Sequence, residues 1–144
     1  DLLDAARAVP APAVETAVAA WRASLPAGDE LAPYRLTLTG GDAVRGRAVF
    51  LSDHAMCTKC HKVSGEGGSD AGPDLGGVAS RRSAEERLLA LVNPNAQLAP
   101  GFAAPSAMPP MGPLLSLREM RDVVAYLTSL AGPGASASAH GGTP

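Results

Sequence analysis

The sequence predicts an all-α fold of short helices joined by glycine- and proline-rich loops. Two capping boxes and one strong apolar stripe carry that prediction. Ser83 with Glu86, and Ser116 with Glu119, each pair a hydroxyl and a carboxylate three residues apart. That spacing closes on the first free backbone N–H groups of a helix. Behind Ser116, Met120, Val123, Val124, Leu127 and Leu130 recur three and four residues apart and line one helical face.

Each segment fits that class in turn. Residues 1–28 are alanine-rich, and Val14, Val18, Trp21 and Leu25 form an amphipathic stripe. Pro10 and Pro12 divide this stretch into two short helices. Residues 34–39 alternate and are β-prone, but Pro33 and Gly40-Gly41 bound them tightly, so they are expected to form an extended connector. Asp42 is the expected N-cap of a helix over residues 44–51 that carries Val44, Ala48, Val49 and Phe50. Gly46 inside that helix lowers its stability relative to alanine, for which a close helix–helix approach is a sufficient reason. Residues 64–77 are a glycine-rich loop. They lack both the Gly-Lys-Ser/Thr ending and the preceding strand of a phosphate loop. Ser83 opens a helix through Leu88, Leu89, Leu91 and Val92, which Asn93-Pro94 ends. Residues 93–113 are proline-rich loop, and Gly132-Pro133 stops the final helix. Residues 1–40 are therefore expected to be a helical extension and connector, 41–132 the principal domain, and 133–144, small and polar, a disordered tail.

Composition limits what this domain can be. Aromatics are 3% of the 144 residues, so the chain has few of the side chains that dominate core burial. The net charge is −2 and no basic cluster exceeds Arg81-Arg82, which offers nothing to a nucleic acid. No apolar run approaches the roughly 20 residues that span a bilayer. The chain begins at Asp1 with neither methionine nor a signal-peptide pattern, as expected of a processed product or a piece of something longer.

The most informative feature is the pentapeptide Cys57-Thr58-Lys59-Cys60-His61, which contains both cysteines of the chain. Cys-x-x-Cys-His is the attachment signature of c-type haem. If the stretch is helical, positions three and four apart share one face. Both thiols then reach the two vinyl groups of one porphyrin, and His61 is left to bind iron as the proximal ligand. The haem would also supply apolar bulk that the composition lacks. Three other readings compete. Zinc requires about four protein ligands, and only His54 and His140 remain to complete a set. A thioredoxin-like redox pair requires a βαβ context that is missing around Cys57. A disulfide across two intervening residues would stabilise little, because stabilisation grows with the loop closed.

Residues 41–130 resemble a class I cytochrome c domain. Gly46 and Phe50 come first, followed by the haem motif and Gly72-Pro73-Asp74-Leu75. Met108-Pro109-Pro110-Met111-Gly112 and a final helix with Val124-Ala125-Tyr126-Leu127 complete the order. The resemblance implies the class I fold, three to five helices around one covalent haem c, with the first and last helices crossing closely. Gly46 and Phe50 would then meet Val123 and Tyr126. It implies that the Pro73 carbonyl accepts a hydrogen bond from His61 Nδ1, as partners of metal-bound histidines generally do. It also places Leu75 among the haem-binding residues. One departure is the six residues between Phe50 and Cys57, an insertion containing His54 and Met56. More narrowly, the chain is similar to the C-terminal cytochrome c module of large periplasmic dehydrogenase proteins of planctomycete-type bacteria. Residues 1–7, 65–68, 89–95 and 106–112 carry that similarity, and residues 1–28 would be the last helices before the module.

The sixth iron ligand separates an electron carrier from a ligand-binding protein. The candidates are Met56, Met108, Met111, Met120, His54 and His140. His54 and Met56 lie beside the proximal motif, and Met120 reads as core. Both Met108 and Met111 fall where the family places its ligand. The family pattern, a ligand before proline and four residues before glycine, favours Met108, with Met111 as the alternative. Both methionines merely packing is a third possibility, because methionine is a common gap-filler. The expected function is electron transfer by one haem c with His61/Met108 ligation, without enzymatic activity of its own. A dehydrogenase would be the donor, a downstream cytochrome or oxidase the acceptor, and the periplasm the location. The alternatives are a haem enzyme or sensor with an exchangeable distal site, and a purely structural haem module.

Overall fold

The structure, a computed structural model, describes residues 12–132. Among these residues there are five α-helices: α1 (Pro12–Ala23), α2 (Ala43–Phe50), α3 (Val78–Arg81), α4 (Ala84–Val92) and α5 (Leu117–Ser129). Two 3-10 helices, Ala32–Leu38 and Cys57–Lys59, complete the set. No strand forms among the described residues, only an isolated bridge between Val63 and Glu66. The all-α class I fold is as expected.

The α2–α5 crossing organises the molecule and is its most extensive helix contact. Glycines make it possible. A Cβ built on Gly46 would lie 2.9 Å from Tyr126 Cβ and closer still to the Asp122 carbonyl, and one on Gly41 would lie 2.8 Å from Ala125 Cβ. Phe50 packs against Tyr126 with ring centroids 5.4 Å apart and planes tilted by 56°, an arrangement aromatic pairs favour. The close partner of Gly46 is thus the backbone of Asp122 rather than Val123. Asp122 also ties the two helices through its side chain, accepting from Asp42 N–H (2.9 Å) and Arg45 Nε (2.8 Å). Burial pushes the Asp122 carboxyl up, but the Arg45 hydrogen bond, the Asp42 N–H and the positive charges of Arg45 and Arg121 hold it below the ordinary carboxylate range.

Helix ends follow the sequence closely. Asp42 caps α2 through Val44 N–H and Arg45 N–H, and both capping boxes close reciprocally at Ser83/Glu86 and Ser116/Glu119. The core beneath them is built from Leu88 and Leu91 of α4, Met120, Val123, Val124 and Leu127 of α5, and Ala55, Val78, Met111 and Leu115 between them. In α2 only Gly46 and Phe50 are buried, and Val44 and Ala48 face outward. No sequence cue marks α3, which is shorter than two turns and shows no apolar period.

Of the expectations about the N-terminal part, one changes. Helix α1 begins at Pro12, and Val14, Val18 and Trp21 are its least exposed residues, yet none of its residues is buried. Pro10 and residues 1–11 as a whole, like the tail at 133–144, lie outside the described residues. Residues 34–39, expected to be extended, instead lie largely in the 3-10 helix Ala32–Leu38. Pro33 sits in its first turn, Tyr34 N–H bonds to the Leu31 carbonyl (2.8 Å), and the Thr37 hydroxyl donates to the Tyr34 carbonyl (2.7 Å). Burial of Leu31, Ala32 and Thr37 against α5 and α4 overrides the weak strand propensity, as tertiary context does when a segment is short.

Candidate haem site

The pentapeptide at residues 57–61 forms a single helical turn. Met56, in the left-handed conformation, precedes it, and the turn closes through Cys60 N–H and His61 N–H to the Cys57 carbonyl (3.2 and 2.9 Å). Cys57 and Cys60, neither of them in a disulfide, are both half-buried on that turn. Burial pushes the Cys57 thiol above its ordinary range.

His61 is held from the loop that follows. Its Nδ1 lies 2.9 Å from the Pro73 carbonyl oxygen, which can only accept, so Nδ1 carries a proton and, in the neutral ring, the lone pair is on Nε2. A Cβ on Gly72 would lie 2.9 Å from both Cε1 and Nδ1 of this ring, so the backbone there approaches the imidazole as only glycine allows. Gly72 N–H also bonds to the Cys60 carbonyl (3.1 Å), and Leu75 N–H to the Lys62 carbonyl (2.8 Å). Asp74 anchors the loop from outside. Its carboxylate accepts from the N–H groups of Ser64 (2.8 Å), Gly65 (2.6 Å) and Gly76 (2.7 Å). The Gly76 N–H is the largest influence holding its carboxyl below the ordinary carboxylate range, with those of Gly65 and Ser64 and the Arg81 charge adding to it against a desolvation cost. Arg81 closes the same turn through the Gly76 and Asp74 carbonyls (2.6 and 3.0 Å). Sequence reasoning assigned no role to Asp74 or Arg81. An aspartate among glycines after a proline was the available signal, since such residues bond nearby backbone N–H groups.

The second loop carries Met108 and Met111. Met108 is half-buried, and its N–H bonds to the Ser106 hydroxyl (3.2 Å), while Ser106 N–H bonds to Asn95 Oδ1 (2.8 Å). Met111 is 2% exposed, and its N–H bonds to the Leu91 carbonyl (2.7 Å). Met120 is fully buried in α5. Cys57, Leu75 and Met108, from three separate segments, all pack against one buried apolar cluster. His54 faces elsewhere: its Nε2 lies 3.0 Å from Glu119 Oε1 and its Nδ1 3.0 Å from Ser52 Oγ. Among the described residues no group of three or more histidine, cysteine or acidic side chains is placed to hold a metal ion.

These residues fit a covalently attached haem. Two thiols share one turn with a histidine whose Nδ1 is engaged and whose Nε2 is available, as metal-bound histidines generally are arranged.

Comparison with known proteins agrees. The sequence profile of the cytochrome c family matches residues 43–131, more than half of the chain. The chain is 37% identical over 90 residues to a cytochrome c-553-like protein of Synechocystis, covering 62% of this chain and 70% of that protein. It is 42% identical over 52 residues to a cytochrome c of Tetrahymena pyriformis, covering 36% of this chain and 43% of that protein, so it spans less than half the length of that relative. The chain therefore belongs to the cytochrome c family, which implies a covalently bound haem c and haem-based electron transfer.

Proposed function

We propose that this chain is an electron carrier holding a single haem c through Cys57 and Cys60, with His61 and Met108 as axial ligands. The observation that carries the reading is the His61 Nδ1–Pro73 hydrogen bond beside two thiols on one helical turn. The bound group supplies one-electron chemistry, and the chain supplies ligation, burial and orientation. Pro73 sets the tautomer of His61, Gly72 lets the loop close on its ring, and Leu75 contributes apolar surface. Three features support Met108 over Met111. Met108 is half-exposed beside the apolar cluster that also receives Cys57, whereas Met111 is committed to the core by burial and by its backbone bond to Leu91. It also precedes a proline and stands four residues before Gly112.

On this reading residues 41–132 form the haem domain, and residues 1–40 join it to a preceding part of a larger polypeptide. The donor is a periplasmic dehydrogenase, the acceptor a downstream cytochrome or oxidase, and the domain works in the periplasm. The sulfur-to-iron absorption band of the oxidised protein tests the ligation. It should be present in the wild type, be lost in Met108→Ala and persist in Met111→Ala. Fast, tight carbon monoxide binding by the reduced wild type at neutral pH would instead show an open distal site and an enzyme or sensor.

A further inference from the structure

We propose that residues 29–38, which precede the region matched to the family, brace the loop carrying Met108, with Tyr34 as a positioning residue. The functional meaning of the brace rests on Met108 being the sixth ligand.

The segment is fastened at both of its faces. Leu31, Ala32 and Thr37 are buried against α5 and α4. Arg35 pairs with Asp29 (3.1 Å) and with Glu85 in the first turn of α4, and Glu30 accepts from Asn93 Nδ2 (2.8 Å) at the end of α4. Tyr34 then meets the second loop. A Cβ built on Gly112 would lie 3.0 Å from Tyr34 Cζ, 3.4 Å from Cε1 and closer still to the phenol oxygen. The ring therefore rests against the Gly112 backbone, next to Met111 and four residues from Met108. Gly112 has no positive φ, so this contact, not backbone conformation, disfavours a side chain there.

The other restraints on the loop converge on the same end of α4. Met111 N–H bonds to Leu91, Ser106 N–H to Asn95, and Glu30 of the segment to Asn93. Residues 29–38 and the methionine loop thus both bond at the C-terminal end of α4, with Tyr34 and Gly112 as a contact between them. With Tyr34 removed, the loop keeps its bonds to α4 but loses the wall against which it closes, so local opening should become easier while the α2–α5 crossing is untouched.

A double-mutant cycle in the haem-loaded chain tests this, with Tyr34→Ala, Gly112→Ala and their combination. Tyr34→Ala should speed hydrogen exchange of the Met111 amide about tenfold and leave that of Gly46 unchanged. It should also accelerate carbon monoxide binding to the reduced protein. Gly112→Ala should act in the same direction. The combination should lower the melting temperature by less than the sum of the single losses, because the vacated ring space accepts the methyl. Tyr34→Phe, which keeps the ring but loses the phenol oxygen nearest Gly112, should fall between wild type and Tyr34→Ala. Wild-type Met111 exchange in Tyr34→Ala, or strictly additive losses, would overturn the brace. If the wild type lacks the sulfur-to-iron band, the ligand assignment falls and Met111 exchange still decides the brace. If the band is present and both single variants bind carbon monoxide at the wild-type rate, Met108 stands and the positioning role of Tyr34 is refuted.

Discussion

Gly46→Ala is the smallest change that addresses the central helix crossing. The added carbon would stand 2.9 Å from Tyr126 Cβ, against an optimum of about 3.5–4.0 Å for carbon pairs. Relief requires α2 and α5 to part by roughly 1 Å, and a gap of that size forfeits about a quarter to a half of each dispersion well along the seam. The Asp122 carbonyl lies nearer still and belongs to the α5 backbone, so no rotamer change can relieve it. Overpacking of this kind costs ~1–3 kcal/mol, and the rigid partner places this case at the upper end. Alanine is a better helix former than glycine by about 1 kcal/mol, which offsets part of the loss. The net destabilisation is about 2 kcal/mol, or a fall in melting temperature of roughly 8 °C for a domain of this size. Urea and thermal unfolding followed by circular dichroism measure it. Val44→Ala is the control on the same helix, because Val44 is 82% exposed and its loss should fall within about 0.5 kcal/mol. A Gly46→Ala variant that melts at or above the wild-type temperature would show that propensity dominates and that the helices do not touch there.

Other variants probe separate parts of the structure. Cys57→Ser or Cys60→Ser should each leave haem on one thioether or none, read by acid extraction, and full retention in both would defeat the attachment argument. Met111→Ala should cost on the order of 2–5 kcal/mol, because a fully buried side chain is lost, and should keep the sulfur-to-iron band. Met108→Ala should lose that band and lower the reduction potential, because a neutral thioether favours ferrous iron. Asp122→Asn should flatten the acid limb of stability. The folded pKa of Asp122 is depressed, so its contribution is full above the ordinary carboxylate range and fades as pH falls through the lower folded value. Urea midpoints between pH 7 and pH 3 would reveal an unchanged limb if the Arg45 pairing were unimportant.

The sequence by itself determined the local structure and the identity of the chemistry. Caps at Asp42, Ser83 and Ser116 are satisfied within three residues of their own positions, so their geometry is written in short-range spacing. The Cys57-Cys60-His61 turn is legible for the same reason, since its three side chains are brought together by one helical turn. Gly46 signalled a close approach by its cost to a helix, although its partner proved to be the Asp122 carbonyl. Only the tertiary structure decided what depends on contacts between distant segments. Residues 34–39 have a strand-like pattern and fold as a 3-10 helix because burial against α4 and α5 outweighs a weak local preference. Val44 and Ala48 share a helix with Phe50 but face outward, because Gly46 and Phe50 set which side meets α5. The meeting of Tyr34 with Gly112 joins positions 78 residues apart, and no periodicity relates them. Local spacing fixes which groups a turn presents, whereas packing between segments fixes what stands behind them.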